Sequence, residues 1–141
     1  MRYRNILVAV DFSPSSKHAM ETAASLAAES DASLTVAHVW QVPVLGAELP
    51  VPSQYLEEIR ASIETQLAEW TQEAQRIAGK PVSSVLALGV PWDELVRLLR
   101  RDRYDLAVIS THGRTGLKHV LLGSVAEKVV RHAPCAVLVV R

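Results

Sequence analysis

The sequence predicts a parallel, doubly wound α/β sheet of five strands in the order 3-2-1-4-5, with helices on both faces. Three observations carry that reading. Short apolar runs alternate with amphipathic stretches along all 141 residues. Several of these runs are near-continuous in Val, Ile, Leu and Ala, as strands are when helices cover both of their faces. Right-handed crossovers leave few orders for five such strands, and placing the first and fourth as central neighbours gives this one.

The elements follow in turn. Ile6 to Val10 is an apolar run ended by Asp11 and reads as a buried strand. Ser13-Pro14 supplies an N-cap and a proline at the first helical position, opening an alanine-rich helix that runs to about Ser30. Leu34 to Val39 is rich in β-branched residues and forms the second strand. Gln41 to Pro52 carries Pro43, Pro50 and Pro52, so it is a loop, and its apolar residues make it an ordered one. The clearest helix comes next. Leu56, Ile59, Ile63, Leu67, Trp70, Ala74 and Ile77 recur at spacings of three and four, and the helix stops near Gly79-Lys80-Pro81. Val82 to Leu88 is the third strand, punctuated by Gly89 and Pro91. Trp92 to about Arg101 is a helix with Asp93 and Glu94 in its first turn and arginines toward its end, the polarity that suits the helix dipole. Leu106 to Ser110 is the fourth strand, Val125 to His132 a helix, and Ala136 to Val140 the fifth strand. No internal repeat and no second domain is visible, so residues 1–141 read as one domain.

Composition excludes several function classes. Hydrophobic residues make up 49% and charged residues 21%, which points to a folded globular chain rather than a disordered one. Lys plus Arg and Asp plus Glu both total 15, which argues against a dedicated nucleic-acid or membrane-surface binder. No apolar stretch reaches the roughly 18 residues of a membrane span. The first apolar run is too short for a signal peptide and is interrupted by Asp11. The single cysteine, Cys135, has no internal disulfide partner, and together these features lead us to expect a cytoplasmic protein.

Ligands in such folds bind beyond the carboxyl ends of the strands, where the strand order reverses. The loops there carry Asp11, after the first strand, and Ser110-Thr111-His112-Gly113, after the fourth. Nine residues later come Gly123-Ser124 and a helix. Glycines at a strand-to-helix crossing let backbone N–H groups approach a ligand, and the helix N-terminus adds free donors and partial positive charge. That combination holds a phosphate without any lysine. Neither G-x-x-x-x-G-K-[ST] nor a G-x-G-x-x-G after the first strand occurs, so the P-loop and dinucleotide patterns are absent.

The chain resembles the universal stress protein family over nearly its whole length. The family pattern after the fourth strand is G-x-x-G-x9-G-[ST]. Gly113, nine residues, Gly123 and Ser124 match it, and Ser110 stands where its first glycine would be. The opening Ile6-Leu7-Val8-Ala9-Val10-Asp11 and the closing Ala133-Pro134-Cys135-Ala136-Val137-Leu138-Val139-Val140 are similar to the family as well. The resemblance implies a Rossmann-like fold, akin to the adenine nucleotide alpha hydrolases, that binds ATP or AMP, with or without Mg²⁺. It implies that Asp11 faces the adenine–ribose end and that the Val39 backbone reads the adenine edge. Ser110 and Gly113 then pass under ribose and phosphates, while Gly123, Ser124 and the Val125 N–H hold the distal phosphates. Arg114 is a further phosphate candidate. The resemblance also implies an antiparallel homodimer through strand 136–140, which would otherwise be a bare apolar edge.

Plainer readings stand beside these. Asp11 also suits a cap for the first helix or for the turn into it. Ser124-Val125-Ala126-Glu127 fits a capping box, a role compatible with phosphate binding. Gly113, Gly116 and Gly123 suit turns with positive φ. Lys118 and His119 read as solvated charges. His112 has no serine–histidine–acid or metal-spaced set around it, so no catalytic or metal-ligating residue is assigned. Cys135 reads as a buried, inert thiol, Trp70 as core, Trp92 as core or the rim of the crevice, and Trp40, at the end of the second strand, as flanking core or a platform that stacks on a base. Three functions follow: an adenine-nucleotide-binding stress-response regulator acting on a protein partner, a slow ATP hydrolase using the same crevice, or an interaction protein that binds no nucleotide.

Overall fold

The structure, a computed structural model, describes residues 2–41, 51–112 and 122–141. The elements run β1 (Asn5–Ala9), α1 (Pro14–Ser30), β2 (Ser33–Trp40), α2 (Ser53–Ala78), β3 (Ser83–Leu88), α3 (Pro91–Arg101), β4 (Leu106–Ser110), α4 (Ser124–His132) and β5 (Ala136–Val140). They form one sheet in the order β3-β2-β1-β4-β5. Every neighbouring pair is parallel, with Val8 opposite both Val36 and Val108 at the centre. The order and the fold class are those expected from the sequence.

Alternation along the strands divides the core in two. Ile6, Val8, Leu34, Val36, Leu106 and Val108 face α1 and α2. Leu7, Ala37, Val39, Ala107 and Ile109 face α3 and α4. Ala19, Ala23, Ala24 and Ala27 of α1 are completely buried, so small side chains let this helix lie close against the sheet. In α2 the expected stripe is real but unevenly covered. Leu67 and Ala74 are buried and Trp70 and Ile77 pack on the core, whereas Leu56, Ile59 and Ile63 toward its start are half-buried.

The helix ends follow local chemistry. The Ser13 hydroxyl accepts the Ser16 amide at 3.2 Å and caps α1, with Pro14 behind it. Gly79, at φ 69°, closes α2 and donates its amide to the Gln75 carbonyl at 2.8 Å. α3 begins one residue earlier than its pattern indicated, because Pro91 serves as its first residue after Val90. β1 likewise spans Asn5–Ala9 rather than residues 6–10. Its start is set by the Asp105 carboxylate, which accepts the Arg4 and Asn5 amides at 2.8 and 3.0 Å.

Two expectations about α4 are corrected. Gly123, not Ser124, is its N-cap, and Ser124 is its first residue. No capping box forms, and Glu127 instead meets Arg131 one turn on, at 2.8 Å. Gly123 has φ −65° and ψ 161°, a conformation open to any residue, so it does not supply a positive-φ turn.

Candidate functional site

Chain continues from β1 to β2 on one side of the sheet, while β4 joins β1 on the other. Loops leaving β1 and β4 therefore diverge and leave a crevice at the carboxyl ends of the strands. A cavity of about 410 Å³ occupies it, within the range of roughly 300–1,000 Å³ for small-molecule sites. Its β1 side is formed by Val10, Asp11 and Ser16, and its β4 side by Ser110, Thr111 and the start of α4 from Gly123 to Ala126. Ala37, Val39, Pro91 and Leu95 make a more apolar wall from β2 and α3.

Asp11 is held in a defined setting. Its Oδ1 accepts the Ser13 amide at 3.0 Å and the Ser13 hydroxyl. Its own amide donates to Ser16 Oγ at 3.2 Å. The intervening Phe12 has φ 65°, a left-handed conformation that costs a bulky residue on the order of 1–3 kcal/mol. Packing holds it there. The Phe12 ring lies 4.5 Å from the His38 ring and meets Trp70 edge-on at 5.2 Å, and His38 Nδ1 bonds to the Val10 carbonyl at 2.7 Å. Asp11 thus helps form the turn into α1, as the plainer reading held, and it also lines the crevice.

Across the crevice, Ser110 closes β4. Among described residues other than glycine, only Phe12, Asp31 and Arg103 take positive φ, so serine is not strained at the position where the family pattern has glycine. Its hydroxyl donates to the His112 carbonyl at 3.1 Å. Thr111 joins three elements: its amide donates to the Val140 carbonyl of β5 at 2.9 Å, and its carbonyl accepts the Gly123 amide at 2.6 Å. That second bond brings the two ends of the β4–α4 connection together and seats the N-terminus of α4 against the end of β4. It also occupies the Gly123 N–H. The first amides of a helix have no partner within the helix, so among the described residues those of Ser124, Val125 and Ala126 are this terminus's contribution beside the cavity.

Of the site residues expected from sequence, Asp11, Val39, Ser110, Gly123, Ser124 and Val125 all line this one cavity. Gly113 and Arg114 lie outside the described residues, as do Gly116, Lys118, His119 and residues 42–50. Sequence reasoning missed Ser16, His38, Gln41, Pro91, Leu95 and Thr111. Thr111 adjoins Ser110 and was within reach of the strand-end argument. Pro91 and Leu95 arrive only through the packing of α3 beneath β2. Trp40 instead lines a second cavity of about 510 Å³, with Phe12, His38, Gln41 and the α2 face around Ile59 and Ile63. Trp92 stacks on His132 at 5.2 Å, with the Lys128 ammonium 5.4 Å from its ring centroid. Burial raises the pKa of the Cys135 thiol, aided by the Asp105 carboxylate, which makes it a poor nucleophile. Among the described residues, no three His, Cys, Asp or Glu side chains converge as metal ligands do. No helix among them is long and apolar enough to cross a membrane.

The sequence model of the universal stress protein family matches residues 2–141. The chain belongs to the universal stress protein family. A universal stress protein of Methanocaldococcus jannaschii is 34% identical over 143 residues, spanning 99% of this chain and 82% of that protein. Solved universal stress protein structures share the fold. The UspA protein of Lactobacillus plantarum superposes with a TM-score of 0.87 at 27% identity, covering 100% of this chain and 99% of that one. A universal stress protein solved in complex with cAMP superposes at 0.76, with 28% identity and 100% and 98% coverage. This universal stress protein therefore has relatives of similar architecture, one of them solved with an adenine nucleotide bound.

Proposed function

We propose that the chain binds an adenine nucleotide in the crevice and acts, as a homodimer, as a stress-response regulator whose surface depends on that ligand. One observation carries the reading. A single cavity has a carboxylate, Asp11, on its β1 side and the amide-bearing N-terminus of α4 on its β4 side, with an apolar wall between β2 and α3. Anions are stabilised at a helix N-terminus, and a carboxylate is not a phosphate ligand, so the two sides suit opposite ends of one molecule. The cAMP complex of a 28% identical relative supports the same ligand class.

In this reading Asp11 faces the adenine–ribose end, the backbone of Val39 reads the base edge, and Pro91 and Leu95 pack against the base. Ser110 passes under the sugar, with Gly113 and Arg114 assigned to ribose and phosphate by the family pattern. The Ser124 and Val125 amides take the phosphates, and Gly123 shapes the approach to them. ATP and AMP both fit this division, and Mg²⁺ would join through phosphate oxygens. A cytoplasmic setting and a regulated protein partner belong to the same proposal. The non-binding alternative drew on Ser110 standing in place of glycine, and the unstrained backbone at Ser110 removes that support. Calorimetric titration of nucleotide-stripped protein with ATP, with and without Mg²⁺, tests the reading. Saturable binding of about one nucleotide per chain is expected. No binding of either ATP or AMP would overturn it.

A further inference from the structure

The hydroxyl protons of Ser13 and Ser16 on the β1–α1 side of the crevice, and of Ser110 across it, are all spent within the protein. Ser13 Oγ accepts the Ser16 amide, so its single proton goes to Asp11 Oδ1. Ser16 Oγ accepts the Asp11 amide and donates to the Ser13 carbonyl at 3.1 Å. Ser110 Oγ donates to the His112 carbonyl at 3.1 Å. What remains for a ligand from Asp11, Ser16 and Ser110 side chains is acceptor capacity alone. Phosphate oxygens, which are themselves acceptors, are disfavoured there, and groups that donate are favoured.

We infer that Ser13 is a positioning residue: by donating its hydroxyl proton to Asp11 Oδ1 it holds the carboxylate, an acceptor-only group, in the orientation that meets ligands carrying hydroxyl donors at this end. This rests on the nucleotide reading, and it makes the sugar hydroxyls a determinant of selectivity. The bond is maintained by the turn around it. Phe12, left-handed and packed between His38 and Trp70, sets where the Ser13 amide and hydroxyl meet Oδ1. Without the hydroxyl, Oδ1 keeps only the Ser13 amide, and the carboxylate is free to turn.

The test compares ATP with 2′,3′-dideoxy-ATP, which lacks both sugar hydroxyls, by calorimetry on the whole chain. The unaltered protein is expected to prefer ATP by at least about tenfold, since hydrogen bonds to charged groups are strong ones. Ser13→Gly separates positioning from helix capping, because glycine serves at an N-cap nearly as well as serine. Ser13→Gly is expected to keep its melting temperature close to that of the unaltered protein while the preference falls several-fold. Ser13→Thr, which keeps the hydroxyl, is expected to restore it. A Ser13→Gly protein that discriminates as well as the unaltered one would overturn the inference. So would an unaltered protein that binds ATP and dideoxy-ATP equally, though nucleotide binding itself would then stand. Failure of the unaltered protein to bind either compound would overturn both readings.

Discussion

Tyr104 and Thr35 show how a single polar pair ties the sheet to the loop that enters β4. The Tyr104 hydroxyl donates to Thr35 Oγ1 at 3.0 Å with both residues buried. Removing one partner leaves the other desolvated, whereas removing both does not. Tyr104→Phe should therefore cost about 1–2 kcal/mol in urea unfolding, and Thr35→Val a similar amount. The double variant should lose less than the sum of the two. Strict additivity would mean that the pair contributes no coupling. At this scale the candidate site was only partly legible. Asp11, Ser110 and Ser124 could be placed because strand ends and helix starts show in the chain. That the Gly123 amide is taken by the Thr111 carbonyl could not be read, because that bond depends on how the ends of the β4–α4 connection return to one another.

Among the elements, α1 illustrates packing by small residues. Ala23 has no exposed surface and sits on the helix face that meets the sheet. Ala23→Leu should push α1 away from β1 and β4 and cost about 1–3 kcal/mol, measured as a lower urea midpoint. An unchanged midpoint would mean that the helix–sheet interface has room that complete burial of this face denies. Elements were the most legible level, because apolar period and helix-end residues are local properties. Their limits shifted by a residue where tertiary contacts decided them, as when Asp105 gathers the Arg4 and Asn5 amides and starts β1 early. The capping box failed for a related reason. Once Gly123 is drawn into its bond with Thr111, the helix begins at Ser124, and Glu127 is left to pair with Arg131.

For the molecule as a whole, the sheet edge at β5 is where a second chain would join. Among described residues β5 pairs only with β4, and Val137 to Val139 are half-buried. A parallel sheet ending on an apolar strand leaves unpaired backbone groups that favour a second chain, and a two-fold pairing closes it. Sedimentation velocity at micromolar concentration should find a species of twice the chain mass, and a monomer at all concentrations would remove the dimer from the proposed function. Thr111, bonded to Val140 as well as to Gly123, lies between that edge and the crevice. The alternation of strands and helices, the buried runs and the glycine spacing pointed by themselves to a doubly wound sheet with its crevice at the carboxyl ends of the strands, because these signals are local; the crossover rule left only a few strand orders, and the pairing of β1 with β4 gives the 3-2-1-4-5 order. Only the tertiary structure decided which donors face that crevice, how Phe12 is held left-handed beside Asp11, and that Pro91 and Leu95 form its apolar wall. Each depends on contacts between residues far apart in the chain, which periodicity does not encode.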